Sequence, residues 1–142
     1  MQLIDLIKYF ILLLTLIWAS ATLAIEDWLV LNPHEKNVFI AIDPGSVVKQ
    51  GGKVIFWERV EFERPEEKDE VSGRMIKYKR VQRIMDCAAK TQGVLRGSTF
   101  GENNKLIEAI ILDAEKVPMN PVPPGTVAHQ QFEIVCLKQS NH

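Results

Sequence analysis

The sequence predicts an α+β domain in which one C-terminal helix packs on an antiparallel sheet. Three observations predict this class. Between residues 28 and 112 the chain consists mainly of β-branched and aromatic runs separated by turn residues, as is typical of strands. A later segment, residues 127–136, has apolar side chains near helical spacing. Two cysteines, Cys87 and Cys136, fall at the ends of a predicted strand and of that helix.

The predicted strands follow one another along the chain with short connections. They are WLVL (28–31), VFIAI (38–42), KVIFWERVEF (53–62), KYKRVQRIMDC (77–87) and a hairpin with arms 91–100 and 106–112. The residues Asp43-Pro44-Gly45-Ser46 are predicted to form a turn that ends the second strand. Four prolines between residues 118 and 124 lead us to expect neither a helix nor a sheet ladder there.

The strand from Lys53 to Phe62 is apolar on both faces at its start and on one face later, where Glu58 interrupts it. We therefore expect this strand to leave the core as it proceeds. The predicted helix after Thr126, its candidate N-cap, has about ten residues and is too short to be stable alone. It must pack on the sheet, where Cys136 would fasten it.

The first 24 residues predict a secretory signal peptide. They contain 18 apolar residues, and Lys8 precedes a ten-residue run from Tyr9 to Trp18 that is apolar except for Thr15. Small residues then offer cleavage after Ala21 or, as we prefer, after Ala24. An uncleaved membrane anchor is the alternative, although the stretch is at the lower limit for spanning. Cleavage after Ala24 leaves one domain, residues 25–142.

Export makes the two cysteines interpretable. An even pair in an oxidising compartment favours a disulfide over a metal site or a catalytic thiol. A bridge between Cys87 and Cys136 would close a loop of about 50 residues, for which the chain-entropy model gives about 4 kcal/mol. No cysteine lies near the cleavage site, so attachment of a lipoprotein-type lipid is excluded. Residues 25–142 keep the net charge of −1, so no overall field attracts nucleic acid.

Charge is segregated between two neighbouring segments. Residues 61–70 hold six acids and two bases, whereas residues 74–83 hold five bases and no acid. One interpretation is a solvated hairpin in which opposite charges face one another across strands. The other is a basic stripe that binds an anionic partner, such as a glycosaminoglycan or an acidic protein segment, with Tyr78 as a stacking surface. The stripe comprises Arg74, Lys77, Lys79, Arg80 and Arg83.

The sequence contains little that indicates catalysis. No HExxH, GxSxG, GxGxxG or P-loop pattern occurs. His129 and Glu133 are four residues apart on the predicted helix, which favours a surface contact over an acid–base dyad. We therefore expect a protein that is not an enzyme, with no catalytic residue, no cofactor and no metal site.

An ordered set of short motifs resembles a known family. The set runs from an early tryptophan, through a turn and a Gly-x-Val-x-x-Trp strand, to a strand ending in cysteine and a Pro-Gly-Thr before the last helix. Its members are Trp28, Ile42, Asp43, Ser46, Val47, Gly52, Val54, Trp57, Cys87, Pro124, Gly125, Thr126 and Cys136. This order is similar to that of the surface-adhesin protein E-like domains of Gram-negative bacteria, over Trp28 to Cys136.

The resemblance implies an antiparallel sheet of about six strands, a C-terminal helix packed on it and a disulfide between the two. It also implies a homodimer and adhesion to host matrix proteins such as vitronectin and laminin. Because this chain has no lipidation cysteine, two functions stay open. The first is an exported, non-enzymatic binding domain in the periplasm or at the cell surface. The second is a periplasmic envelope or housekeeping factor, such as a hydrolase inhibitor.

Overall fold

The computed structural model describes residues 27–31, 36–65 and 68–138. The predicted signal peptide and its cleavage sites lie outside these residues. Strands β1 to β6 are hydrogen-bonded in chain order, each antiparallel to the next, and a short β7 pairs with β5. Their bounds are β1 Leu29–Leu31, β2 Val38–Gln50, β3 Lys53–Phe62, β4 Ile76–Asp86, β5 Thr91–Gly101, β6 Leu106–Ile111 and β7 Asn120–Pro121. The predicted antiparallel sheet is confirmed.

Two local predictions were wrong. Strand β2 does not end at Asp43 but continues to Gln50 through a bulge between Asp43 and Val48. The hydroxyl of Ser46 explains the continuation, because it donates to the Asp43 carbonyl at 2.6 Å and accepts the Trp57 N–H at 2.9 Å. The kinked segment thus stays bonded to β3.

The proline-rich segment also contributes a short ladder that was not expected. Residues Asn120 and Pro121 pair with Gln92 and Thr91 of β5. Val122, which unlike its proline neighbours has a backbone N–H, donates it to the Lys90 carbonyl at 3.0 Å. A ladder of two residues needs few donors, so prolines around it do not prevent it.

The C-terminal helix, α1, spans Val127–Phe132 and continues as a π-helical turn over Glu133–Leu137. Its predicted cap is confirmed, because the Thr126 hydroxyl accepts the His129 N–H at 3.2 Å. We call the face of the sheet that α1 contacts the helix face. The core between them contains Leu31, Ile42, Val54, Phe56, Met85, Phe132 and Val135. No helix within the described ranges has the length and hydropathy of a membrane span.

The predicted disulfide between sheet and helix is confirmed. Cys87, directly after β4, is bonded to Cys136 in the π-helical turn, with the two Cα atoms 5.7 Å apart. The bridge joins residues 49 positions apart. It therefore restricts the unfolded chain and holds a short helix on the sheet.

A second, smaller core lies on the other side of the sheet, which we call the open face. There Val117 packs on Ile55, Ile84 and Leu95. Gly93 permits this approach, because a Cβ at that position would lie 2.3 Å from a Val117 methyl group. Val117 thus covers one end of the open face. This agrees with the sequence of β3, whose first residues are apolar on both faces.

A buried carboxylate joins the sheet to the helix. Glu58 lies on the helix face and is 2% exposed. It accepts hydrogen bonds from Arg83 Nε at 3.0 Å and Nη2 at 2.9 Å, and a further one from the side-chain amide of Gln131. A buried charge is stable only when it is paired in this way. Strands β3 and β4 and helix α1 are thereby held in one arrangement.

We expect Arg83→Met to lower the free energy of unfolding by about 3 kcal/mol, because it leaves the Glu58 carboxylate buried without its cation. The triple variant Glu58→Leu, Arg83→Met, Gln131→Leu should regain most of this loss, since apolar groups replace the whole network. Urea denaturation measures both changes. The control is Lys116→Met, which removes the exposed Lys116–Asp113 pair and should cost less than about 0.5 kcal/mol. An equal loss in Arg83→Met and in this control would contradict the role given to the network.

Candidate functional site

Half-buried aromatic and arginine side chains form a cluster on the open face, beyond the part that Val117 covers. They come from the residue before β1 and from β3, β4 and β5, whose alternate side chains point to the same face. We call this the arginine–aromatic cluster, and it consists of Trp28, Trp57, Arg59, Tyr78, Arg80 and Phe100.

The members of the cluster are stacked on one another. Arg59 Cζ lies 4.5 Å from the centroid of the Tyr78 ring, and Tyr78 stacks on Phe100 with centroids 4.6 Å apart. Arg80 Cζ lies 5.9 Å from each of the Trp28 and Trp57 rings. Such cation–π contacts contribute about 0.5–1 kcal/mol each at exposed sites. They hold the two guanidinium groups beside aromatic rings of the open face.

Strand register explains why these side chains meet. Arg59 lies directly opposite Arg80 in the β3–β4 ladder and directly opposite Ala41 in the β2–β3 ladder. The small side chain of Ala41 occupies little of the face between β1 and β3. Arg59 also forms an ion pair with Glu61, with Nη2 and Oε2 3.2 Å apart. Arg59 and Arg80 thus share the open face, with their guanidinium groups over different rings.

The structure divides the predicted basic stripe between the two faces, because β4 alternates its side chains. Arg80 lies on the open face, whereas Lys77, Lys79 and Arg83 lie on the helix face. Lys77 Nζ donates to the Phe62 carbonyl at 3.3 Å, and Lys79 Nζ lies 5.7 Å from the Phe62 ring. Arg83 is engaged by the buried Glu58. Whether these residues bind an anionic partner stays a prediction.

Arg74, the fifth predicted basic residue, precedes β4 in the turn after β3. Its backbone carbonyl accepts the Asp69 N–H at 2.9 Å. Hydrogen bonds from Ser72 hold the pKa of the Asp69 carboxyl below its ordinary value. Arg74 also lines a cavity of about 210 Å³ with Lys105 and Glu102. It is thus apart from the four basic residues within β4.

The described residues contain no arrangement that indicates catalysis. No group of three His, Cys, Asp or Glu side chains among them could hold a metal ion. His129 Nε2 lies 3.6 Å from Glu133 Oε1, so the predicted contact along the helix is confirmed. Both side chains are more than one-third exposed. The pair is therefore a contact on the surface of the helix.

Sequence reasoning identified Tyr78 and Arg80 as neighbours but did not place Trp28, Trp57 or Arg59 beside them. The period of two along β3 does put Trp57 and Arg59 on one face. What the sequence does not contain is the register that brings β1, β3 and β4 together. The sequence therefore indicated pairs of cluster residues on single strands, but not the cluster as a whole.

Comparisons with known proteins agree with this architecture. The profile of the family described as surface-adhesin protein E matches residues 28–137. Crystal form II of Haemophilus influenzae protein E is 16% identical, with a TM-score of 0.53 over 79% of this chain and 98% of that one. A second protein E structure is also 16% identical, with a TM-score of 0.51 over 79% and 95%. At these identities the likeness shows the fold. No protein among those with curated descriptions matches the chain in sequence.

The cluster predicts how ions quench the tryptophan fluorescence of residues 25–142. Trp18 lies in the predicted signal peptide, so the remaining tryptophans, Trp28 and Trp57, both belong to the cluster. Because Arg59 and Arg80 attract anions locally, the ratio of iodide quenching to caesium quenching should fall roughly twofold in the double variant Arg59→Gln, Arg80→Gln. The variant Lys116→Gln should leave this ratio unchanged. An unchanged ratio in the double variant would contradict the charge assigned to this face.

Proposed function

The chain belongs to the surface-adhesin protein E family, and we propose that it is an exported, non-enzymatic binding protein of the adhesin type. In this proposal residues 1–24 are a signal peptide and residues 25–142 are the mature domain. The domain binds macromolecules of the host matrix, and its open face is the contact surface. Family membership supports a binding protein in preference to an enzyme.

The observation that carries the proposal is the arginine–aromatic cluster. Tryptophan, tyrosine and arginine are the residue types that contribute most to binding at protein interfaces. Here they share one sheet face, are half-buried and stack on one another at 4.5–5.9 Å. Rings held in this way lose little conformational entropy when a partner covers them.

The predicted basic stripe enters the proposal with its residues in different roles. Arg80 is the contact for an anionic group on the open face. Lys77 and Lys79 lie on the helix face beside Phe62, and Arg74 lies apart, before β4. Arg83 is assigned a structural role, because its guanidinium pairs with Glu58. A variant of Arg83 would thus report on folding and not on binding.

Cell fractionation tests export and location together. We expect a mature chain lacking residues 1–24, with thiols protected from alkylation, at the cell surface. Mass spectrometry under non-reducing conditions identifies both the cleavage site and the disulfide. A mature chain confined to the periplasm would contradict host adhesion. Retention of a bacterial envelope protein by it would then favour the second function, a periplasmic envelope factor such as a hydrolase inhibitor.

Solid-phase binding tests the contact surface. Residues 25–142 are applied to immobilised vitronectin and laminin, the matrix proteins that the resemblance implies. We expect Arg80→Glu to weaken binding about tenfold or more, because it reverses the charge at the centre of the cluster. Lys116→Glu, exposed and remote from the cluster, is the charge-matched control. A larger loss from Lys79→Glu than from Arg80→Glu would place binding on the helix face and contradict this proposal.

We further propose that the homodimer implied by the resemblance forms through β6. This strand is at an edge of the described sheet, and its apolar side chains are exposed, Ile111 by 72%. Such an edge favours pairing with another strand. A two-fold axis at Ala109 would place Ile107 opposite Ile111 and Lys105 opposite Asp113 of the second copy. That register pairs apolar side chains at 107 and 111 and opposite charges at 105 and 113, and it places Glu108 opposite Ile110.

Sedimentation equilibrium tests the dimer. We expect Ile111→Lys to shift the protein towards the monomer, because a lysine on an edge strand opposes pairing. The matched control is Val71→Lys, which introduces the same charge in the turn before β4, where Val71 is 96% exposed. A monomeric unaltered protein, or a dimer unaffected by Ile111→Lys, would contradict this interface.

A further inference from the structure

We propose that the Cys87–Cys136 disulfide is a redox-sensitive latch, opened by an anionic thiol that binds in the cavity beside it. The cavity has a volume of about 250 Å³. Its lining comprises Lys49, Gly52, Lys53, Val54, Cys87, Val135 and Cys136. Both cysteines are half-buried, so the bond lies in the wall of an open cavity and not within the core. A small thiol in solution can therefore reach the bond without unfolding the domain.

The reaction is a thiol–disulfide exchange in two steps. A thiolate from solution bonds to Cys136 Sγ, the bond between the two cysteines breaks, and its electron pair leaves on Cys87 Sγ. A second thiolate attacks the external sulfur of this mixed disulfide, and the electron pair of that bond leaves on Cys136 Sγ. The two cysteines gain two electrons and take up two protons, while two molecules of the reductant are oxidised to their own disulfide. Low-molecular-weight thiols such as glutathione supply both the electrons and the negative charge.

The surroundings of the two sulfur atoms assign the order of these steps. The Sδ atom of the fully buried Met85 lies 3.7 Å from Cys136 Sγ. The apolar core is thus directly beside Cys136, where a negative charge is poorly solvated. Cys87 begins the turn after β4. It is therefore the better leaving group, and Cys136 is the sulfur that the external thiolate attacks.

Lys49 gives the cavity its preference for an anion. In the strand ladders Lys49 is directly opposite Val54, and Val54 is directly opposite Met85. These three side chains share the helix face, so Lys49 lies on the same side of the sheet as the disulfide. Its positive charge attracts an anionic thiol and stabilises the thiolate that leaves. Lys53 also lines the cavity, but it is directly opposite Asp86, which offsets part of its charge.

Opening the bond releases the helix and leaves the sheet folded. Among the described residues, only Phe132 and Val135 of the helical segment belong to the buried core on the helix face, whose other five members lie on strands. A helix of this length is unstable alone. Glu58 loses the amide of Gln131 but keeps Arg83 of β4, so its charge stays paired when the helix leaves. The reduced protein therefore exposes an apolar face in a domain that is otherwise folded.

Rates of reduction by glutathione and by cysteamine test the cavity, because the first thiol is anionic and the second is cationic. In residues 25–142, Lys49→Gln should lower the ratio of the glutathione rate to the cysteamine rate about threefold. Salt at about 0.5 M should remove most of this effect. Lys116→Gln, which removes the same charge after β6, is the matched control and should leave the ratio unchanged. Acid quenching and mass spectrometry should find the first glutathione on Cys136.

Three kinetic results would overturn the binding of an anionic thiol beside the bond. They are an unchanged ratio in Lys49→Gln, an equal fall in Lys116→Gln, and a first glutathione on Cys87. The rate should also be constant in low urea, since the folded protein reacts. A rate that follows the unfolded fraction would show that the bond is reached only after unfolding, and would overturn the latch.

Hydrogen exchange measured by mass spectrometry tests the release of the helix. In the reduced protein, amides of residues 127–137 should exchange at least about tenfold faster, while those of β3 and β4 stay protected. The double variant Cys87→Ser, Cys136→Ser should behave in the same way. If that variant does not fold, the unaltered protein in excess dithiothreitol gives the same measurement. Unchanged protection of residues 127–137, or loss of protection throughout the sheet, would overturn the latch.

Discussion

The buried carboxylate of Glu58 is the constraint on which the arrangement of the molecule depends. A charge at 2% exposure costs several kcal/mol unless cations and donors surround it. Arg83 supplies the cation from β4, and Gln131 supplies an amide from the helix. Both can reach Glu58 only when the two strands are in register and the helix lies above them. A purely apolar interface would tolerate more alternative positions of the helix.

The disulfide acts on the same interface in a different way. The Cys87–Cys136 bond joins the end of β4 to the π-helical turn, so it restricts how far a short helix can move from the sheet. It acts mainly on the unfolded chain, whereas the Glu58 network discriminates among folded arrangements. Together they allow a helix of about two turns to cover the core of a small domain.

The helix covers one face of the sheet and leaves the open face without it. On the open face, Val117 seals one end over Ile55, and the arginine–aromatic cluster occupies the part beyond it. The same strand thus supplies a core residue, Ile55, at its start and members of the cluster, Trp57 and Arg59, later. Because stability is provided on the helix face, the cluster can retain half-exposed rings and opposed arginines that a core would not tolerate. This separation fits a family of binding proteins.

The sequence by itself determined the elements with local causes: the bounds of β3, the Thr126 cap, the helix and, through cysteine arithmetic, the disulfide. Periodicity and capping act over a few residues, so they can be read directly. It did not predict the β2 bulge, which depends on a hydrogen bond from β3 to Ser46. Nor did it predict on which face of the sheet each basic side chain would lie, or that Arg59 would lie opposite Arg80. Only the tertiary structure decided these, because register depends on pairing between strands distant in the chain.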